Sequence, residues 1–433
     1  MKVPARLLAF VLTLCHAQVL SGFAQPSEVS LDEKSYSAGN MLRHDSSRDQ
    51  STFRVDRREY SGDFSDRDEH PMKNDTNHDY PDRDDCDDID DRDDKDDRDD
   101  KDDEDDHCHP CPPIKPCPPC PGPPSPKVHN HTLYPPQIND RPVIGILSLP
   151  TEYESFPVNG SSYIAASYVQ WAESGGARVV PIPVTANISE ISGLVSSLNG
   201  ILFTGGAAPF FTDDGSFSNY TSVGCFIFEL VKQINDEGTY YPLWATCLGF
   251  ELIHVCAYPD PAVLSNFNGE PAYANKIQFT SEAPNATLFD TVQGEMVRKV
   301  QSTQSIQLFS HSFGVSPATY EEIPDLRDFY KVLAIGHDHN DTAYVALIEG
   351  RDYPIYGNQY HPEKNLFEWY TKYPIPHNST AVAMSSYYAR YFVAEARRND
   401  FSFGSEAALK PYLIYNYEPY FLDTHLLQIY LFD

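Results

Sequence analysis

The residue best placed for chemistry in this sequence is a cysteine between a buried strand and a helix. Cys247 stands within Ala245-Thr-Cys-Leu-Gly-Phe-Glu251, which follows an apolar run and opens a helical pattern. A strand–turn–helix context of this kind is typical of a nucleophile elbow, with Gly249 letting the helix approach the sheet closely. At a helix N-terminus a thiol meets unpaired N–H groups and the positive end of the helix dipole, which lower its pKa. The pattern therefore predicts a reactive thiolate at Cys247.

A cysteine nucleophile needs a base, and the base needs a group that orients it. His361 and Glu363 follow an apolar strand that begins near Tyr353. Two residues apart in an extended chain, their side chains would project to the same side, so the carboxylate can hold the imidazole in one tautomer. Alone, His-Pro-Glu would equally suit a surface turn. Together with Cys247 it predicts a Cys-His-Glu constellation.

The elements that must position these residues alternate between strand and helix from about residue 140. Apolar runs predict strands at residues 143–147, 178–183, 200–203 and 241–246. Helical spacing predicts helices that start near Ser161 and Ile188, a third ended by Gly238, and a fourth over 248–256. Such alternation indicates a mostly parallel sheet flanked by helices. Ligands of such folds bind at the carboxyl ends of the strands, where Cys247 and Gly205-Gly206 both fall.

These segments resemble the γ-glutamyl hydrolase family, within the class I glutamine amidotransferase-like superfamily. The resemblance covers roughly residues 140–433, including the C-terminal Tyr430-Leu-Phe-Asp433, and implies a flavodoxin-like α/β sandwich. The other matching segments are Arg141-Pro-Val-Ile-Gly-Ile-Leu, Tyr163-Ile-Ala-Ala-Ser-Tyr-Val, Gly176-Ala-Arg-Val-Val-Pro, Asn199-Gly-Ile-Leu-Phe-Thr-Gly-Gly206, Trp244-Ala-Thr-Cys-Leu-Gly-Phe-Glu251, Phe313-Gly-Val-Ser-Pro317 and Tyr356-Gly-Asn-Gln-Tyr-His-Pro-Glu-Lys364.

The resemblance implies a role for each matching residue. Cys247 would be the nucleophile, His361 its base and acid, and Glu363 the group that orients His361. The remaining residues would form the oxyanion hole or surround the substrate: Gly206 and Leu248 through their backbone N–H groups, and Glu251, His311 and Gln359 through their side chains. Glu251 could instead simply belong to the elbow helix, and His311 could be a structural polar residue.

The implied reaction is attack by Cys247 on the γ-glutamyl bonds of folylpoly-γ-glutamates, through a thioester acyl-enzyme. No cofactor or metal is implied, and a homodimer is suggested by the resemblance alone. Thr204 and Tyr360 stand where the family commonly has Pro and Trp, a change that could alter rate or chain-length preference. Two alternatives remain open. The chain could hydrolyse other γ-glutamyl amides as a glutaminase, or be an extracellular Asp-rich, calcium- or mineral-binding matrix protein with a hydrolase-like domain.

The N-terminus predicts entry into the secretory pathway. Residues 1–24 combine a basic start, a short apolar run and small residues before Gln25, as in a signal peptide. The run is too short to span a bilayer, and no later run reaches that length. Eight N-glycosylation sequons indicate a glycosylated protein in the extracellular space or the lysosome (vacuole). They begin at Asn74, Asn130, Asn159, Asn187, Asn219, Asn285, Asn340 and Asn378.

Residues 25–138 are predicted to be disordered, with the catalytic domain following over 139–433. The chain carries a net charge of −31, and residues 81–106 alone hold 18 Asp or Glu against 5 Lys or Arg. Such a run is an extended linker or a weak, multivalent calcium or mineral site. Without a basic region, nucleic acid is excluded as a partner.

Six of the eight cysteines outside the predicted elbow fall into two groups. Cys108, Cys111, Cys117 and Cys120 favour disulfides over zinc in an oxidising compartment. Cys225 and Cys256, within helical patterns, are interpreted as buried core cysteines.

Overall fold

The computed structural model describes residues 138–157, 160–422 and 424–433. The predicted signal peptide, the predicted disordered region with its Asp and Cys patterns, and the sequons at Asn74, Asn130 and Asn159 lie outside the described residues. Within the described part of the chain, none of the helices is both long and apolar enough to cross a membrane.

Three sheets contain the described strands. The strands, in chain order, are β1 (Val143–Leu147), β2 (Leu149–Pro150), β3 (Ser162–Ala165), β4 (Arg178–Ile182), β5 (Gly200–Phe203), β6 (Leu243–Thr246), β7 (Ser265–Asn275), β8 (Gln278–Phe279), β9 (Gln307–Gly314), β10 (Tyr330–His337), β11 (Ala343–Gly350), β12 (Ile355–Asn358), β13 (Tyr420–Phe421) and β14 (Gln428–Phe432). The largest sheet has eight strands in the order β4-β1-β5-β6-β12-β11-β10-β8. A four-stranded sheet runs β13-β14-β3-β2, and β7 pairs with β9.

The α-helices flank the large sheet or connect its strands. They are α1 (Ala166–Ser174), α2 (Ile188–Val195), α3 (Asn219–Asp236), α4 (Leu248–Ala257), α5 (Val292–Thr303), α6 (Pro317–Glu322), α7 (Pro324–Phe329), α8 (Lys364–Phe367), α9 (Ser379–Ala396) and α10 (Glu406–Leu409).

The large sheet is parallel over the half that carries the predicted site. Strands β4, β1, β5, β6 and β12 pair in parallel. All residues of β1, β5, β6 and β12 are buried, as expected where helices cover both faces of a parallel sheet. The predicted α/β fold is confirmed. Beyond β12, strands β11, β10 and β8 continue the sheet in antiparallel pairs.

One helix begins later than its pattern predicted. We expected a helix from near Ser161, but residues 162–165 form β3 and the helix begins at Ala166. Ile164 pairs with Tyr430 of the C-terminal strand. Aromatic and β-branched residues suit a strand, but the pairing partner lies more than 260 residues away, so local spacing could not reveal it.

The interpretation of Cys225 and Cys256 as core cysteines is wrong, because they form a disulfide. Cys225 lies on α3 and Cys256 near the end of α4, and these two helices pack side by side. The Cα atoms of the two cysteines are 5.0 Å apart. Each cysteine fits its own helical pattern. Only the packing of one helix on the other brings the two sulfur atoms together.

Candidate active site

Cys247 occupies a strained turn between β6 and α4. Its backbone has φ 51° and ψ −108°, a conformation that non-glycine residues rarely adopt. Two backbone hydrogen bonds fix this conformation: the Cys247 N–H donates to the Asn358 carbonyl, and the Cys247 carbonyl accepts from the Glu251 N–H. Strained residues of this kind cluster at functional sites. The predicted strand–turn–helix elbow is present in the structure.

Glycines allow the backbone to pass close to this turn. A Cβ on Gly249 would lie 2.6 Å from the Phe203 carbonyl oxygen, so only glycine lets α4 approach β5 this closely. Gly206 has a φ of 153°, and a Cβ there would collide with Leu149. The turn after β5 therefore lies directly beside the start of α4, as the Gly205-Gly206 pattern indicated.

The thiol of Cys247 is buried, with 6% of the residue exposed, and Sγ lies 3.7 Å from the Ser310 carbonyl. Burial, followed by the negative charges of Glu251 and Glu363, raises the pKa of the thiol well above its usual range. The charge of Lys364 and the Leu248 N–H oppose this rise. The sequence-based expectation of a lowered thiol pKa is therefore wrong, because desolvation outweighs the helix N-terminus.

His361 lies beside the thiol, oriented by Glu363. Nδ1 of His361 is 2.8 Å from Oε1 of Glu363, and both side chains are almost fully buried. His361 Cε1 and Cys247 Cβ both lie within 3 Å of the point where a Cβ on Gly205 would stand. With Nδ1 bonded to the carboxylate, Nε2 is the ring nitrogen that remains for another partner.

The predicted reason for the His–Glu contact is wrong. The chain is not extended at this point: Glu363 has helical angles, φ −63° and ψ −32°, and caps α8. The carboxylate reaches the imidazole through a turn that begins where β12 ends.

Tyr168 is a buried member of the site that the sequence pattern did not single out. Its hydroxyl accepts the Gly205 N–H at 2.8 Å and lies 3.3 Å from His361 Nδ1. Burial and then the charge of Glu363 raise the pKa of Tyr168 well above its usual range, so the hydroxyl stays protonated. It links the glycine turn to the His–Glu pair. In the sequence, the position of Tyr168 in a helical pattern indicated only a buried core residue.

Glu251 and Gln359 form a buried pair next to the thiol. Nε2 of Gln359 donates to Oε1 of Glu251 at 2.9 Å. Burial raises the pKa of Glu251 to about 8, against the hydrogen bond from Gln359, which lowers it. Glu251 is thus a neutral acid over most of the acidic and neutral range. It belongs to the elbow helix and also lines the cleft above Cys247.

His311 lies on β9, where it faces the same cleft. Its Nδ1 is 2.8 Å from the Phe313 carbonyl, so Nδ1 carries the proton. Burial lowers the pKa of His311 to about 4, although the bond to Phe313 raises it. Nε2 is buried without a hydrogen-bond partner. A neutral ring with a free acceptor atom suits an N–H group of a bound substrate.

The cleft above the thiol has a volume of about 690 Å³. Of the predicted site residues, it is lined by Gly206, Cys247, Leu248, Glu251 and His311. Most of its other walls are apolar and include Tyr153, Ala207, Pro209, Phe210, Phe211, Leu264 and Phe313. A second cavity of about 700 Å³ holds none of the predicted site residues. Among the described residues, no group of three or more His, Cys, Asp or Glu is arranged to hold a metal ion.

Tyr360, one of the two departures from the expected family pattern, is buried and fully bonded. Its hydroxyl donates to Tyr388 at 3.0 Å and accepts from Gln301 at 3.1 Å, and Tyr388 donates to Gln301 at 2.6 Å. This closed triangle satisfies the hydroxyl that tyrosine adds. The other departure, Thr204, has a buried hydroxyl without a partner.

Comparison with known proteins shows the family to which the chain belongs. The family described as peptidase C26 matches residues 142–363, a stretch from β1 to Glu363. The chain belongs to the peptidase C26 family. The relatives matched by this peptidase C26 chain include γ-glutamyl hydrolase B of Dictyostelium discoideum, 36% identical over 68% of this chain and 84% of the relative. The human γ-glutamyl hydrolase is 32% identical over 68% of this chain and 90% of its own.

Membership of the family makes the chain a hydrolase, and its relatives are γ-glutamyl hydrolases. Among solved structures, the CTPS glutaminase domain of Trypanosoma brucei matches 60% of this chain and 95% of its own at 12% identity, with a TM-score of 0.39. PurLQS from Thermotoga maritima matches 57% and 97%, at 11% identity, with a TM-score of 0.34.

Proposed function

We propose that this hydrolase cleaves the γ-glutamyl bonds of folylpoly-γ-glutamates with Cys247 as its nucleophile. The observation that carries the proposal is the strained Cys247 turn next to an imidazole held by a buried carboxylate. Nucleophile, base and orienting group are the three parts that covalent acyl transfer requires. The γ-glutamyl bond is inferred from the names of the relatives. The folate part of the substrate is inferred from the resemblance of the sequence to the γ-glutamyl hydrolase family.

The proposed reaction begins with proton transfer from the thiol to Nε2 of His361 as sulfur attacks the γ-carbonyl carbon. The N–H groups of Gly206 and Leu248 stabilise the oxyanion, a contribution of about 10²–10³ in rate for one donor. His361 returns the proton to the leaving nitrogen, the C–N bond breaks, and a thioester remains on Cys247. Water, deprotonated by His361, then hydrolyses the thioester and restores the thiol.

The test uses pteroyl-penta-γ-glutamate with the wild type, Cys247→Ala and Cys247→Ser. We expect the wild type alone to shorten the substrate. A thioester should also be trapped at Cys247 by acid quenching and be found by mass spectrometry of the peptide. Shortening by Cys247→Ala, or a wild type with a titratable Cys247 thiol that leaves the substrate intact at acidic and neutral pH, would contradict the proposal.

We further propose that the chain acts in the extracellular space or the lysosome after entering the secretory pathway. A disulfide such as Cys225–Cys256 is typical of oxidising compartments. The five sequon asparagines in the described residues are all exposed: Asn187, Asn219, Asn285, Asn340 and Asn378. Enzymatic removal of N-glycans should increase the electrophoretic mobility of protein from its native source, and an unchanged mobility would count against this route. The homodimer stays a prediction.

A further inference from the structure

The second cavity, of about 700 Å³, lies at the end of the large sheet opposite Cys247. Tyr240 and Tyr353 line it, and they come just before β6 and β12, the strands whose carboxyl ends lead to Cys247 and His361. Its volume is within the range of roughly 300–1,000 Å³ that is usual for cavities that bind small molecules. The cavity is therefore separate from the proposed active site and large enough for a ligand.

Each of the three basic residues that line this cavity is already paired with a carboxylate. The pairs are Lys331–Glu349, Arg351–Glu282 and Arg398–Glu395, with N–O distances of 2.9, 2.7 and 3.0 Å. Glu349 and Glu395 are buried, and a buried carboxylate that loses its cation is costly. An anionic ligand would have to break such a pair, so the pairing disfavours anions.

Unused hydrogen-bond donors and acceptors lie side by side in the same wall. Oε2 of Glu395 accepts from Arg398 at 3.0 Å and from two tyrosine hydroxyls, whereas Oε1 has no partner among the described residues. Within the described part of the chain, the guanidinium of Arg398 donates to Glu395 alone and keeps further N–H groups. A hydroxyl group both donates and accepts, and the half-buried rings of Tyr240 and Tyr353 add flat surface for a sugar ring. This wall suits a neutral, polyhydroxylated ligand, which is the chemistry of a saccharide.

One of the eight sequons borders this cavity. It is Asn285-Ala-Thr287, in which Asn285 is exposed and Thr287 lines the cavity. Two residues span at most about 7 Å, so a sugar on Asn285 begins next to the cavity. The position is fixed, because the N–H and the hydroxyl of Thr287 donate to the carboxylate of Glu349 at 3.1 and 3.0 Å.

We propose that the chain carries an N-glycan on Asn285 and that the first sugars of this glycan bind in the cavity. The inference rests on the proposed secretory route and adds a binding site for one glycan. Attachment forms a C–N bond between the first sugar and the Asn285 amide nitrogen, while the oligosaccharide leaves its lipid diphosphate carrier and the amide loses a proton. The sugar hydroxyls then donate to Oε1 of Glu395 and accept from Arg398.

The sequons at Asn187 and Asn378 provide the reference. Each of these asparagines caps a helix, and neither they nor their neighbours in sequence line the cavity. Their glycans should therefore extend into water. An enzyme that removes N-glycans should reach them freely, whereas a glycan bound in the cavity is protected for the time that it stays bound.

The experiment measures, for each asparagine, how fast peptide N-glycosidase removes the glycan from the folded, full-length protein secreted by cultured eukaryotic cells. In heavy-oxygen water each released Asn becomes a labelled Asp, which mass spectrometry of the peptides detects. A glycan that is bound about nine-tenths of the time is released about tenfold more slowly. We expect this difference between Asn285 and the two reference sites in the folded protein, and similar rates after denaturation.

Two tryptophan variants of α5 separate the cavity from the surrounding surface. Gln293 is exposed and lines the cavity, so Gln293→Trp should occupy the space of the sugars and raise release at Asn285 to the reference rate. Val292→Trp changes an exposed neighbour that does not line the cavity, and release should stay slow. Arg398→Ala, which removes donors to the sugars, should raise the rate about two- to fivefold, as expected for one lost hydrogen bond.

The outcomes distinguish this inference from the proposed secretory route. Equal release at Asn285, Asn187 and Asn378 in the folded protein would overturn the inference, and so would slow release that persists in Gln293→Trp. A bare Asn285 beside glycosylated reference sites would also overturn it, while the secretory route stands. Sequons that all lack glycans would overturn both.

Discussion

Replacing Gly205 with alanine should slow the proposed reaction about a hundredfold while leaving the protein folded. A Cβ at this position would lie 2.7 Å from His361 Cε1, 2.7 Å from the Tyr168 hydroxyl oxygen and 2.9 Å from Cys247 Cβ. Non-bonded carbon atoms normally stand about 3.5–4.0 Å apart. The three buried neighbours must therefore give way by roughly 0.5–1 Å each, and none of them is the free end of a long side chain.

A displacement of this size acts on the reaction more than on the fold. Misplacing reacting groups by about 1 Å can cost about 10² in rate, so we expect kcat to fall about a hundredfold. Overpacking a core by one methyl group costs about 1–3 kcal/mol, which a folded domain usually tolerates. The assay measures kcat on pteroyl-penta-γ-glutamate beside the free energy of unfolding in urea.

Gly193→Ala is the matched control. Gly193 lies in α2, and a Cβ there would have no atom within 4 Å. Alanine should therefore keep full activity and stabilise the helix by up to about 1 kcal/mol. A Gly205→Ala enzyme that keeps more than about half of the wild-type kcat would refute the reasoning, because a reacting pair that survives such a displacement does not need this spacing.

Four further predictions follow from the site and its surroundings. Glu363→Gln should keep the fold and lower kcat by about 10²–10⁴ by favouring the wrong tautomer; a wild-type kcat would contradict that role. Replacing Cys225 and Cys256 together by Ser should lower the free energy of unfolding in urea by about 3–4 kcal/mol, given the 31-residue separation, and equal midpoints would contradict it. Burial raises the pKa of Glu251 from 4.5 to about 8, so the folded state binds the proton of this carboxyl group more tightly than the unfolded state does. The stabilisation of the fold by this bound proton is complete below pH 4.5 and is lost as the pH rises toward 8. Glu251→Gln should therefore lose less stability than the wild type across that window, by a few kcal/mol at most, and parallel curves would refute this. Alkylation of Cys247 by iodoacetamide should keep rising past pH 9, the usual thiol pKa, and a plateau at acidic pH would contradict the raised pKa.

The sequence predicted those parts of the fold and site that depend on neighbouring residues. Strands β1 and β5 have the predicted bounds, and α4 begins at the predicted residue, because continuous apolar runs and helical spacing are local signals. The requirement for Gly249 was also predicted correctly, since tight strand–helix turns need a residue without a side chain. These are the elements that place Cys247 at the carboxyl end of an interior strand of the sheet.

Contacts between distant segments were beyond such patterns. The strand at Ile164 depends on Tyr430, and the disulfide depends on the packing of two helices. Tyr168 also looked like an ordinary core residue, and only the folded chain shows its hydroxyl between Gly205 and His361. Spacing along a helix indicates which face is buried but not what that face contacts.

The thiol shows most clearly why position in sequence does not settle chemistry. The end of a helix contributes about 0.3–2 kcal/mol in favour of an anion, whereas full burial can shift a pKa by up to 3–5 units in the opposite direction. At Cys247 burial dominates, and the carboxylates of Glu251 and Glu363 add to it. The free protein therefore holds a neutral thiol rather than a standing thiolate. His361 must take the proton as sulfur attacks, which makes its bond to Glu363 a requirement of the proposed reaction.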